Sequence, residues 1–185
     1  SVSRGLGDVY KRQAHELRAG DFVPLDFELN FADPEQIAPI TLSDGAVTLN
    51  MSGVADRVDG WLHDGKLYLR VVDYKTGKKS FDLAELRYGL GLQMLLYLFT
   101  LKEEGQMLFG GHEIVPAGVL YTPAREPMLR CARDTEPEKI EKALKKELRR
   151  SGMVLEDPAV LQAMEHSALE SPCYLPIAVK RDGAV

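Results

Sequence analysis

From Phe22 onward hydrophobic and polar positions alternate strictly: Leu25, Phe27, Leu29 and Phe31 point one way, and Asp26, Glu28 and Asn30 the other. A period of two marks a half-buried strand. Ala32 to Ile40 contains Pro34 and Pro39 and predicts a loop. The alternation returns over Val47 to Leu62 and over Lys66 to Tyr74, split by Asp64-Gly65, a strong two-residue hairpin signal. Lys75 to Ser80 is a polar loop. Asp82 to Glu104 predicts a long helix, with Asp82 as N-cap, Glu85 three residues later and Gly105 just past the end. Gly89 and Gly91 weaken its middle turn. Ile114 to Tyr121 predicts a further strand, and Thr135 to Arg150 an amphipathic helix with Ile140, Leu144 and Leu148 on one face. Asp157 to His166 predicts a short helix and Tyr174 to Val179 a last strand, while His15 to Ala19 is the tail of a helix. Strands, then a long helix, then another strand imply an α/β fold with a mixed central sheet flanked by helices.

Composition narrows the classes. With 45% apolar residues the chain is no disordered polymer, and it offers no run long enough to span a membrane. Its 185 residues suit one domain with a substantial core. Two cysteines support neither a disulfide scaffold nor a four-thiolate metal site, and fit a reducing, cytoplasmic setting. The net charge of −5 excludes a protein that wraps DNA by bulk charge alone. Ser3 to Gln13 matches, codon for codon, a DNA string resembling a transposase adaptor of sequencing libraries. Residues 1–13 are therefore expected to be non-native, and residues 14–185 to form a single domain, with a core over about 22–122 and an extension over about 135–185. The adaptor-like segment holds Arg4, Asp8, Lys11 and Arg12, so the remainder is −7.

The hairpin concentrates the chemistry. Across an Asp64-Gly65 turn, opposed residues have numbers that sum to 129, which sets Asp56 against Asp73. Both share a face with Val54, Val58, Leu62, Leu67, Leu69 and Val71, because side chains two apart in a strand point the same way. Two carboxylates side by side at the end of an apolar face repel, and need a proton, a cationic neighbour or a metal. Lys75 lies on the same face and is one candidate; a hard divalent cation is the other. On the opposite face Trp61 meets Tyr68, and Asp59 meets Arg70 as an ordinary opposite-charge pair.

Three segments in this order, Gly53 to Asp59 (GVADRVD), Val71 to Gly77 (VVDYKTG) and Gln93 to Tyr97 (QMLLY), resemble the PD-(D/E)xK nuclease superfamily with its restriction-endonuclease-like core. The pattern is most similar to RecB-type nuclease domains, in particular the C-terminal domain of the B subunit of AddAB-type helicase–nucleases. The resemblance implies that Asp56 and Asp73 are metal-ligating acids, that the backbone carbonyl of Tyr74 is a further ligand, and that Lys75 is the catalytic lysine. It places Gln93 and Tyr97 on the following helix, at the site or the DNA strand. Glu28, on the polar face of its strand, stands where related nucleases carry a glutamate. The implied activity is metal-dependent exonucleolytic cleavage of DNA with Mg²⁺ (or Mn²⁺), inside a helicase–nuclease complex of double-strand-break repair and recombination. The implied partners are a single-stranded DNA end and a partner subunit. A stand-alone Cas4-like or phage-type exonuclease, or a non-catalytic DNA-binding or scaffold module, are the alternatives.

Two departures from the family stand out. The histidine such domains place on an upstream helix has no counterpart, since His15 is too close to the first strand. The iron–sulfur cluster of the family is not supported: Cys131 and Cys173 lack the clustered spacing. Absence of the cluster in this member, or an end to the chain before it, would each account for this. The run Lys139 to Arg150 has six basic and two acidic residues and is expected to be a solvated helix face.

Overall fold

The computed structural model describes residues 16–31, 33, 37, 40–44, 47–75, 92–123 and 136–178. The adaptor-like segment, His15, most of the proline loop, the 76–91 segment (including the Asp82 cap and both helix glycines), Cys131 and Val179 lie outside them.

A five-stranded mixed sheet forms the frame. Its strands are β1 (Val23–Asn30), β4 (Val54–His63), β5 (Lys66–Lys75), β6 (Glu113–Pro123) and β7 (Ser151–Val154), in the spatial order β1-β4-β5-β6-β7. Strands β2 (Ile40–Asp44) and β3 (Val47–Met51) make a separate antiparallel pair. The sheet is antiparallel except between β5 and β6, and helix α1 (Leu92–Glu104) lies in the crossover between that parallel pair. The mixed α/β architecture is as expected.

The central hairpin follows its turn. Asp64 and Gly65 both have positive φ, 49° and 76°, the two left-handed residues of a type I′ turn. The ladder from His63↔Lys66 to Arg57↔Val72 keeps the sum of 129. Val58, Leu67, Leu69 and Val71 are buried on the front of the sheet, whereas Val54 and Leu62, at the ends of the same face, are exposed. Helix α1 covers this front with Met94, Tyr97, Leu98 and Leu101, a stripe at helical spacing. The back of the sheet carries Val72, Ala117 and Leu120, covered by α3 (Pro158–Met164) and by Leu175 and Ile177. Asp157 caps α3 by accepting from the Ala159 N–H at 2.8 Å and the Val160 N–H at 3.3 Å.

Three expectations need correction. Val47 to Leu62 is not one strand: β3 ends at Met51, β4 starts at Val54, and β3 pairs with β2, a strand that falls at the end of the expected proline loop. The strict alternation of β1 also fails. The register with β4 shifts between Pro24 and Asp26, and Glu28 sits at φ 56°, so Leu29 and Phe31 are buried while Leu25 and Phe27 are exposed. Tyr174 to Ile177 is not a strand. The buried Glu165 carboxylate accepts the N–H groups of Cys173 (2.6 Å), Tyr174 (3.1 Å) and Leu175 (3.1 Å), which satisfies that backbone without a neighbouring strand. The last sheet strand is instead β7, which pairs with β6.

Helix α2 (Pro137–Leu148) exposes Glu138, Lys139 and Lys142, as a solvated face should, but Ile140 is exposed too. Of the two arginines after it, Arg149 stays exposed and Arg150 points inward. Arg149 donates to the carbonyls of Leu175 and Ile177, and Arg150 is buried against Glu16.

Candidate active site

The front-face acids lie at the end of the β4–β5 hairpin next to α1. Asp56 and Asp73 are both half-buried. Asp56 Oδ2 accepts the backbone N–H of Tyr74 at 2.7 Å, which ties the two strands together just beyond Arg57↔Val72. Asp73 pairs with Tyr121 in the parallel ladder to β6, and Lys75 with Pro123. Lys75 is the last residue of β5, and its side chain lies outside the described residues.

Helix α1 brings Tyr97 to this end of the sheet. Its ring stacks on Phe31, with centroids 4.1 Å apart and planes 7° from parallel, and its hydroxyl accepts a short hydrogen bond from the Gln93 amide. Burial raises the Tyr97 phenol above its ordinary range; the Gln93 bond opposes this and the charge of Asp73 adds to it. Tyr121 is raised by burial and again by Asp73. Both phenols therefore stay protonated at neutral pH, and both lie within electrostatic reach of Asp73. Gly53 makes the approach of α1 possible, since a Cβ at that position would collide with the Tyr97 hydroxyl and the Gln93 amide nitrogen. Gly53 falls in the break between β3 and β4.

Glu28 falls in β1 between the pairs Phe27↔Arg57 and Leu29↔Ala55, level with Asp56. It is exposed, and its left-handed φ is rare for a residue with a long side chain. Among the described residues no group of three or more His, Cys, Asp or Glu side chains gathers to hold a metal ion. A cation at Asp56 and Asp73 would therefore draw on two carboxylates, a backbone carbonyl and water, a hard-oxygen set that suits Mg²⁺.

Behind the site lies a buried charge network, of which pairing across the hairpin predicts only Asp59 with Arg70. That pair exists, with Arg70 Nε donating to Asp59 Oδ2 at 2.8 Å. Arg57 adds Nε to Asp59 Oδ1 at 2.7 Å and Nη2 to Glu16 at 2.9 Å, and donates from Nη1 to the Tyr74 hydroxyl at 2.6 Å. Glu16 also takes Arg70 at 3.2 Å and Arg150. All five charged side chains are at most 6% exposed. Burial alone would raise Glu16, but the guanidinium groups of Arg150, Arg57 and Arg70 outweigh it and hold the carboxyl at about 2. The local signal was present in the sequence: Arg57, Asp59 and Arg70 are charges on one face of two otherwise apolar strands. Glu16 and Arg150 come from distant segments and gave none. The neighbouring Trp61–Tyr68 pair is as expected, with ring centroids 5.3 Å apart.

Comparison with known proteins bears on this arrangement. The model of the PD-(D/E)XK nuclease superfamily matches residues 2–172. The B subunit of the ATP-dependent helicase/deoxyribonuclease of Anoxybacillus flavithermus is 38% identical over 173 residues, 91% of this chain and 15% of that protein. The proteins of the same name from Acetivibrio thermocellus and Clostridium acetobutylicum are 34% and 32% identical, each over 93% of this chain and 15% of the relative. The chain thus spans about 15% of the length of the curated relatives it matches. No helix among the described residues is long and apolar enough to cross a membrane. A mixed sheet whose central hairpin carries Asp56 on one strand and Asp73 and Lys75 on the next, with a family match over most of the chain, leads to one assignment: the chain belongs to the PD-(D/E)XK nuclease superfamily.

Proposed function

We propose that this chain is the Mg²⁺-dependent deoxyribonuclease domain of a helicase–nuclease complex, acting as an exonuclease on DNA ends in double-strand-break repair and recombination. The observation that carries the reading is the hairpin end. Asp56 and Asp73 occupy one face of adjacent strands, Asp56 is fixed by the Tyr74 N–H, and Lys75 follows two residues after Asp73. The names of the relatives, B subunits of ATP-dependent helicase/deoxyribonucleases, support the helicase–deoxyribonuclease context.

In this reading Asp56, Asp73 and the Tyr74 carbonyl hold the cation. A bound Mg²⁺ supplies Lewis-acid activation of water and of the scissile phosphate. Lys75 orients or activates the attacking water and offsets charge developing on the phosphate. Gln93, exposed on α1, meets the DNA strand, and Tyr97, four residues on, buried and a neutral phenol, orients that glutamine by accepting the hydrogen bond from its amide. Glu28 adds a carboxylate level with Asp56 on the neighbouring strand. The partners are a single-stranded DNA end and the other subunit of the complex, in the cytoplasm.

The test is degradation of linear DNA by the full-length polypeptide with Mg²⁺. Asp73→Ala is expected to abolish it and Lys75→Ala to slow it by about 10²–10³-fold, the loss typical of removing one preorganised electrostatic group. Wild-type degradation by Asp73→Ala would leave a non-catalytic DNA-binding module as the better account.

A further inference from the structure

We propose that Arg57 and Tyr74 form a clasp on the back of the sheet that positions the acids on its front. The proposal rests on the reading of Asp56 and Asp73 as metal ligands given above.

The geometry follows from strand alternation. Asp56 and Arg57 are neighbours in β4 and point to opposite faces; Asp73 and Tyr74 do the same in β5. The antiparallel ladder runs as far as Arg57↔Val72, one residue short of the two acids. Beyond it Tyr74 is held from both sides. On the front its backbone N–H donates to Asp56 Oδ2 at 2.7 Å. On the back its hydroxyl accepts from Arg57 Nη1 at 2.6 Å, and the guanidinium lies 5.7 Å from its ring centroid. Tyr74 is also the residue whose carbonyl completes the proposed ligand set, so whatever fixes this residue fixes three ligands at once.

Arg57 is itself immobilised. Its Nη2 donates to both Asp59 and Glu16, and its Nε lies within ion-pair distance of Asp59, which leaves Nη1 aimed at the tyrosine. Glu16 is gripped in turn by Arg70 of β5 and by Arg150, which precedes β7. The clasp is thus anchored in the segment before β1, in β4 and β5, and in the segment after α2. A planar guanidinium with two nitrogens hydrogen-bonded in fixed directions does what a lysine cannot. Partners that orient metal ligands typically matter about 10–100-fold to metal affinity or activity, on the order of the effect of a 1 Å misplacement at a reacting centre.

The experiment uses the full-length polypeptide with Tyr74→Phe, which keeps the ring in the back cluster and removes only the hydroxyl. Mn²⁺ binding is followed by electron paramagnetic resonance, and hydrolysis is measured against Mg²⁺ concentration. The clasp predicts that the Mn²⁺ Kd and the half-saturating Mg²⁺ both rise about tenfold, with excess Mg²⁺ restoring most of the lost rate. Arg57→Lys, which keeps the charge and loses the fork, shifts both in the same direction. An unchanged metal dependence overturns the proposal. So does a fall in rate at every Mg²⁺ concentration with unchanged half-saturation, the mark of fewer folded molecules. If Asp73→Ala hydrolyses DNA normally, the metal-site reading itself falls; if Asp73→Ala is inactive while Tyr74→Phe binds Mn²⁺ normally, only the clasp falls.

Discussion

On the back of the β4–β5 hairpin, Asp59 lies between Arg57 and Arg70, and Glu16 among Arg57, Arg70 and Arg150. On the front, Asp56 accepts a backbone N–H, and the charge of Asp73 is felt by two tyrosines, Tyr97 and Tyr121. The two faces are separated by the thickness of one sheet, yet they treat acids in opposite ways. Behind the sheet, burial is offset by cationic side chains of the same fold, so the charges are structural. In front, Asp56 and Asp73 lie just past the last paired residues of the hairpin, and in the proposed function a bound cation would offset their charge. Removing an acid from the back should therefore cost stability, and removing one from the front should cost activity.

The largest expected break of this contrast is Glu16→Ala. It leaves Arg57 and Arg70 sharing Asp59 and takes from the buried Arg150 its Glu16 partner, and loss of one partner in a buried ion network typically costs about 3–5 kcal/mol. Urea unfolding checks it; a loss below about 1 kcal/mol, the range of exposed pairs, would place this network among ordinary surface charges.

Acid titration sharpens the same point. The Glu16 carboxyl is held at about 2 against an ordinary 4.5, so its folded form is the more acidic one. Its contribution is fully present above pH 4.5 and is lost as pH falls toward 2, a total of about 3 kcal/mol at ~1.4 kcal/mol per tenfold change. Unfolding free energy measured across that window should fall in the wild type and flatten in Glu16→Gln. Identical acid profiles would contradict the assignment.

A smaller effect is expected at the junction of the two faces. Gly53→Ala drives a methyl group against the Tyr97 hydroxyl and the Gln93 amide, and overpacking of this kind costs typically about 1–3 kcal/mol. Because the displaced groups belong to the front site, hydrolysis should fall along with the melting temperature. An active Gly53→Ala enzyme with a lowered melting temperature would separate Gln93 and Tyr97 from the chemistry.

What the sequence revealed and what it hid follow from range. The Asp64-Gly65 turn fixes the register, and from it Asp59 on Arg70 and Trp61 on Tyr68 could be read, because each depends on a two-residue loop and a period of two. The split between β3 and β4 could not be read so locally: it falls at Gly53, where Tyr97 and Gln93 of a helix much later in the chain pack close. The alternation of β1 was disturbed by the register shift between Pro24 and Asp26 and by the left-handed φ of Glu28, neither of which an apolar pattern reports. Tyr174 to Ile177 has the composition of a strand, but its backbone N–H groups were claimed by Glu165. Arg150 looked like part of a solvated basic face and is instead a buried partner of Glu16, a pairing between opposite ends of the described chain.

The most direct test of the contrast between faces is the double variant Asp56→Asn, Asp73→Asn in the full-length polypeptide, assayed for Mg²⁺-dependent DNA degradation and for metal-free melting temperature on the same sample. Removal of the paired negative charge predicts no hydrolysis and a melting temperature no lower than that of the wild type. Retained hydrolysis, or a collapse in stability like that expected of Glu16→Ala, would contradict the account.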